Sequence, residues 1–245
     1  MVGRRSQRPF NIAYYQRNRD QEIARVRMRQ DATLAFLREL RRVPCAVCGQ
    51  TFEPHQMDFD HRDRDTKSFR VTAGRAMLMS RARLVAEVSK CDVVCANCHR
   101  VRTQTAHARR PADHRVSESP SRRRKRARWA LHDRLLDALR DVPCIDCGRR
   151  YPPCAMDFDH RVPEEKASGV TRMRGRAAAE RILAEAAKCD IVCANCHRLR
   201  TFTRRVAAVQ QAGVAQLAER DPSKVDVAGS IPVSRSKPAT ARQLR

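Results

Sequence analysis

The sequence predicts an α+β fold made of two small modules joined by a basic linker, with helices flanking each. Three observations carry this prediction. First, the pattern VPC-x2-CG, MDFDHR and KCD-[VI]-VCANCHR-[VL]-RT occurs twice. One copy holds Cys45, Cys48, Asp58, Asp60, His61, Cys95, Cys98 and His99, the other Cys144, Cys147, Asp157, Asp159, His160, Cys193, Cys196 and His197. Second, the copies are offset by 99 positions at the Asp-His pair (61 to 160) and by 98 at the second cysteine pair (95 to 193), so one residue was lost from the variable stretch between them. A repeat of about 75 residues divides a chain of this length into two modules. Third, helical and strand periodicities recur in the same order around both copies.

Residues 1–33 form a basic helical extension in which Tyr14 and Tyr15 lie among arginines. Helical spacing begins at Asp20 and continues through Leu34, Phe36, Leu37 and Leu40 into module 1, residues 34–103. Val43-Pro44 ends it, because a proline restricts the residue before it and cannot extend a helix. In module 2, residues 128–208, Trp129, Leu131, Leu135, Leu136 and Leu139 repeat that spacing before Val142-Pro143. After each cysteine knuckle, Met57-Asp58-Phe59-Asp60 and Met156-Asp157-Phe158-Asp159 alternate with the period of a strand that has one apolar face. A polar segment follows, then helices around 82–89 and 178–187, and the last cysteine pair opens another helix. Residues 104–127, with Pro111, Pro120 and the run Arg122 to Arg126, read as a mobile basic linker. The tail, 209–245, contains GVAQLAE and GSIP, which resemble the translated D-arm and T-loop of a transfer-RNA gene. It is expected to be disordered, and the overlap hints at a phage or mobile-element origin.

Composition narrows the function. With 51 basic residues against 27 acidic ones, the net charge is +24 and the isoelectric point near 10.9, which suits a polyanionic partner bound through phosphate contacts. Aromatic residues make up only 4% of the chain, so modules this small need more than apolar burial to hold together. Eight of the eleven cysteines, those in C-x2-C pairs, supply it. At C-x2-C spacing, with no apolar signal segment and no run able to span a bilayer, they read as metal ligands in a cytoplasmic chain rather than as disulfides. Two such pairs per module suit a tetrahedral zinc ion: Cys45, Cys48, Cys95 and Cys98 for one, and Cys144, Cys147, Cys193 and Cys196 for the other. Four thiolates leave no open position, so both Zn2+ ions are structural and staple the modules. Cys91, Cys189 and Cys154 read as buried spectators, with contact to the metal left open for the first two.

The Asp-His pair and the histidine after the last cysteine make a second constellation, one that a purely structural knuckle does not need. Phosphodiester hydrolysis does need a neutral imidazole to take a proton from water and a hard divalent ion on the phosphate. At these residues the chain resembles the HNH, or His-Me finger, endonucleases, particularly the zinc-containing branch that includes phage recombination endonuclease VII-like proteins. The resemblance covers residues 43–103 and 142–201. It implies a ββα-metal fold, a metal-dependent endonuclease acting on double-stranded DNA, and cleavage leaving a 3′-hydroxyl. It makes His61 and His160 the general bases, and Asp60, His99, Asp159 and His197 the ligands of a catalytic Mg2+ or Mn2+. The family's middle asparagine has no clear counterpart, and Asp92 and Asp190 stand where they could orient the base histidine instead. Lys67 and Lys166 recur, and read either as solvated charges or as contacts to the scissile phosphate. The competing reading is a non-catalytic zinc module that holds nucleic acid on the same scaffold. Between the copies, module 1 is favoured for activity because Phe69 has no equivalent in module 2.

Overall fold

The computed structural model describes residues 8–71, 74–108 and 119–218. The chain divides into two compact units, residues 1–203 and 204–245. Both expected modules up to residue 203 lie in the first unit.

The basic N-terminal helix α1 spans Arg8–Glu39, starting well before Asp20. It buries Leu37 and lays Phe36 and Leu40 against the same cluster. The knuckle after it turns on Gly49, whose φ of 69° only glycine adopts without strain, and Gly148 repeats this at 68°. Backbone bonds from Gly49 to Cys45 and from Cys45 to Gln50 close the turn, and the amide of Ala46 donates to Val93 in the sheet.

Strand β1, Met57–His61, pairs antiparallel with β2, Cys91–Cys95, so that Met57 faces Cys95, Asp60 faces Asp92 and His61 faces Cys91. Helix α2, Arg81–Val88, lies between them in sequence and is capped by Ser80, whose hydroxyl accepts from the Arg83 amide. Helix α3, Ala96–Ala108, leaves β2 directly. The order recurs in the second copy. Helix α4, Pro120–Arg140, is capped by Ser119 and leads to β3, Met156–His160; helices α5, Val170–Met173, and α6, Ala179–Ala186, precede β4, Cys189–Cys193. Helix α7 spans Ala194–Ala218. Strand β3 pairs with β4 in a register equivalent to the first sheet. The fold is thus α+β, with a two-stranded antiparallel sheet in each module.

Each module splits its apolar burial between two sides. One cluster in module 1 joins Leu37, Phe59, Val71, Leu84 and Cys91; the other packs Met57 and Val94 around Cys45 and Cys95. Module 2 repeats both with Leu136, Ile182 and Cys189, and with Met156, Val192, Cys144 and Cys193.

Two features differ from the sequence expectations. Strands β2 and β4 were not expected from residue pattern, because CDVVC and CDIVC do not alternate. The expected linker is helical at both ends: α3 runs to Ala108, and α4 begins at Pro120, where a capping serine followed by proline is a strong helix start. Its middle, 109–118, lies outside the described residues, as does the tail from 219 onward.

The two modules face each other through equivalent residues. The backbone amide of Asn97 donates to the side-chain oxygen of Asn195 (3.3 Å), and the amide of Asn195 to that of Asn97 (3.1 Å). Arg149 donates to Gln50, its counterpart in the other copy, at 2.9 Å. Two corners of the interface differ. At one, His55 stacks on Phe202 with ring centroids 4.3 Å apart. At the other, the equivalent Cys154 and Gln104 line an open cavity of about 510 Å³.

Candidate metal centres and catalytic cleft

The two cysteine quartets are assembled as the spacing predicts. In each, the four Sγ atoms lie within 4.8 Å of one another, with two cysteines buried, one partly buried and one exposed. None of the eleven cysteines is joined in a disulfide. Backbone amides point at the sulfurs: Cys95 N–H donates to Cys45 Sγ at 3.2 Å and Cys98 N–H to Cys95 Sγ at 3.5 Å, with equal distances in the second quartet. Burial pushes the Cys45 thiol up, but amides of Cys48, Cys95 and Val47 outweigh it and bring it to about 7. Burial and neighbouring sulfurs raise Cys98 and Cys196 strongly. Crowded thiols of this kind, with amides already aimed at them, form a donor set compatible with a structural zinc ion, which would relieve the repulsion among four thiolates. Cys91 and Cys189 stand apart from the quartets: each thiol donates to the carbonyl of Glu87 or Glu185 at 3.4 Å, and burial pushes both up to about 11.

Asp60 and His61 close β1, and His99 follows Cys98 on α3, so the knuckle that binds strand to helix also brings these residues together. His61 is almost fully buried and its Nε2 lies 2.8 Å from Glu87 Oε1. Glu87 is only 2% exposed. Burial would raise its carboxyl, yet Lys90, His61 and the amides of Ser68 and Phe69 hold it at about 2. An ionised carboxylate can only accept, so Nε2 is the donor, and in the neutral ring the lone pair falls on Nδ1. The same geometry joins His160 to Glu185 at 2.8 Å, with Glu185 held at about 2 chiefly by Lys188.

His99 is set by a comparable argument. Its Nδ1 lies 2.9 Å from Asp58 Oδ2, and Asp58, buried but paired with His99 and Arg198, sits at about 2. Nδ1 therefore donates, and Nε2, the lone-pair nitrogen of the ring when neutral, lies 3.6 Å from Asp60 Oδ1. His197, Asp157 and Asp159 repeat this at 2.8 and 3.6 Å. One nitrogen and one carboxylate oxygen per module thus converge, a donor pair suited to a divalent ion that completes its shell with water and phosphate oxygens. Among the described residues, only the cysteine quartets bring three or more such atoms together. The other oxygen of Asp60 accepts from Arg102 at 3.3 Å, and Arg102 also reaches Asp92 at 2.9 Å. This guanidinium neutralises two carboxylates that the strand register places opposite each other; Arg200 does so for Asp159 and Asp190.

Beside β1 opens a cleft of about 580 Å³ lined by Asp58, Asp60, His61, His99 and the basic side chains of Arg64, Lys67 and Arg70. Lys67 is exposed on its rim; Lys166 is exposed after β3. Asp92 and Asp190, read as candidates to orient the base histidine, are engaged by arginines, and the carboxylates that hydrogen-bond His61 and His160 are those of Glu87 and Glu185. Sequence reasoning missed the two glutamates, although AE-x2-KCD is retained in both copies, and missed Arg100, Arg102, Arg198 and Arg200, which follow each helix histidine.

Comparison with protein families, with curated proteins and with solved structures finds no match to this chain.

Proposed function

We propose that the chain is a metal-dependent endonuclease of double-stranded DNA, with a histidine general base in each of two zinc-stapled HNH modules. The observation that carries this reading is the pair of oppositely anchored imidazoles in one cleft: His61 is held through Nε2 by Glu87, and His99 through Nδ1 by Asp58 with its Nε2 beside Asp60.

In this mechanism His61 Nδ1 takes a proton from water, and the water oxygen bonds to phosphorus as the phosphorus–O3′ bond breaks, the departing O3′ taking a proton from solvent. Glu87 keeps the ring in register and balances the imidazolium that forms. Arg64, Lys67 and Arg70 hold the flanking phosphates electrostatically. Asp60 and His99 would hold a Mg2+ or Mn2+ ion, which supplies charge neutralisation on the scissile phosphate and leaving oxygen. Module 1 is better disposed for this chemistry, since the Asp60 side chain is 19% exposed and that of Asp159 5%.

The test is cleavage of supercoiled plasmid in Mg2+ or Mn2+ against EDTA, beside the double variant His61→Ala, His160→Ala. Metal-dependent nicking that the variant loses is the expected result. One observation favours the non-catalytic reading: the guanidinium of Arg102 already occupies an oxygen of Asp60, as a positive group would in a module that no longer loads a cation. Plasmid left intact in every metal, with salt-sensitive binding retained, would establish that reading instead.

A further inference from the structure

We propose that Arg198 and Arg100 are positioning residues that act across the module interface, each completing the candidate site of the other copy. This inference rests on the nuclease reading above.

Asp58 orients His99, and among the described residues its hydrogen bonds come from two donors: His99 Nδ1 at 2.9 Å and Arg198 Nη2, from the other module, at 2.7 Å. The arginine and the imidazole meet the same oxygen. In the mirror arrangement Arg100 Nη1 donates to Asp157 at 2.6 Å, while His197 Nδ1 donates to the second oxygen of that carboxylate at 2.8 Å. Both aspartates are largely buried and both arginines about a third exposed, so these contacts are shielded from solvent more than a surface pair is.

A carboxylate held by one donor can rotate about its last torsion; one held by two from different directions cannot, and the ring it carries is fixed with it. Arg198 thereby fixes the direction in which His99 Nε2 points toward Asp60. Asn97 and Asn195, which lock together the first turns of α3 and α7, hold the two histidine-bearing helices at the spacing this exchange requires. Partners of this kind, one bond beyond a metal ligand, typically change metal affinity or activity 10- to 100-fold when removed.

The experiment uses the full-length, zinc-loaded chain in a His197→Ala background, which retains the candidate divalent site of module 1 alone. Mn2+ binding is read from the free-ion signal in electron paramagnetic resonance, and plasmid cleavage is followed in parallel. Arg198→Ala is expected to weaken Mn2+ binding and lower kcat by about 10-fold, with KM for DNA little changed. Arg198→Lys should recover part of the loss. The control is Arg149→Ala, which breaks a contact between the modules that touches neither aspartate, and it should leave both readouts unchanged. Equal Mn2+ affinity and kcat with and without Arg198, in protein that still cleaves, would overturn the proposal and leave the nuclease reading standing. An equal loss from Arg149→Ala would also overturn it, by showing that the arginine acts only through interface stability. If the parent His197→Ala protein neither cleaves nor binds Mn2+ in a manner that Asp60→Ala removes, the nuclease reading fails and the proposal falls with it.

Discussion

Asn97 and Asn195 occupy the same position in the two copies and exchange hydrogen bonds, the backbone amide of each donating to the side-chain oxygen of the other. Both are 3% exposed. Because they sit inside the last C-x2-C pair of each module, the exchange ties one cysteine quartet to the other, and the candidate catalytic helices with them.

Asn97→Ala and Asn195→Ala are each expected to cost about 1–3 kcal/mol, since each leaves a buried amide of the opposite module without its acceptor. The double variant should be less destabilised than the sum of the two, because the pair is a single exchange. Urea unfolding of the four proteins measures the coupling, and strict additivity would show that the two bonds act independently.

Purified chain should carry two zinc ions, and Cys98→Ser or Cys196→Ser one, with loss of order in the module affected. Cys91→Ser should retain both ions, since that thiol lies outside the quartet and bonds to Glu87. Zinc released on thiol modification, counted by a colorimetric chelator, distinguishes these proteins.

Glu87 has a folded-state carboxyl at about 2, below its ordinary value of 4.5. A depressed carboxyl stabilises the fold fully above the ordinary value and loses that contribution as pH falls through the folded value. Wild type should therefore exceed Glu87→Gln in unfolding free energy by about 2 kcal/mol at pH 6, with the gap closing between pH 4.5 and 2. The comparison cancels acid release of zinc, which both proteins undergo. A gap that stays constant on acidification would show that Glu87 contributes in its neutral form.

Arg64, Lys67 and Arg70 rim the cleft of module 1. Replacing each with alanine should weaken binding to duplex DNA about equally for unrelated sequences and lower the slope of log K against log salt by about 1. Unchanged slopes in all three would place the DNA on another face of the chain.

Much of this arrangement was legible in the residues. The cysteine quartets followed from spacing alone, because two thiolates in a tight knuckle have few uses other than a metal. Strand β1 followed from the alternation of Met57, Asp58, Phe59 and Asp60. Strand β2 did not, since Cys91, Val94 and Cys95 are buried together and only pairing with β1 makes that run extended. Glu87 was hidden for a different reason: on an isolated helix it looks like one of many solvated carboxylates, and only the tertiary fold turns it inward onto His61. The arginines after His99 and His197 could not be read within one copy, because their partners lie in the other.

The corner where His55 stacks on Phe202 and the corner where Cys154 and Gln104 line a cavity carry a consequence for how the two halves can vary. Contacts that run both ways between equivalent residues are those of a symmetric homodimer, in which every position appears twice and every change is made twice. Duplication within one gene ends that constraint. The two halves meet without dependence on concentration, and each can then vary alone. In this chain one corner carries an aromatic stack and its twin a cavity, a difference that no symmetric dimer of identical subunits could encode.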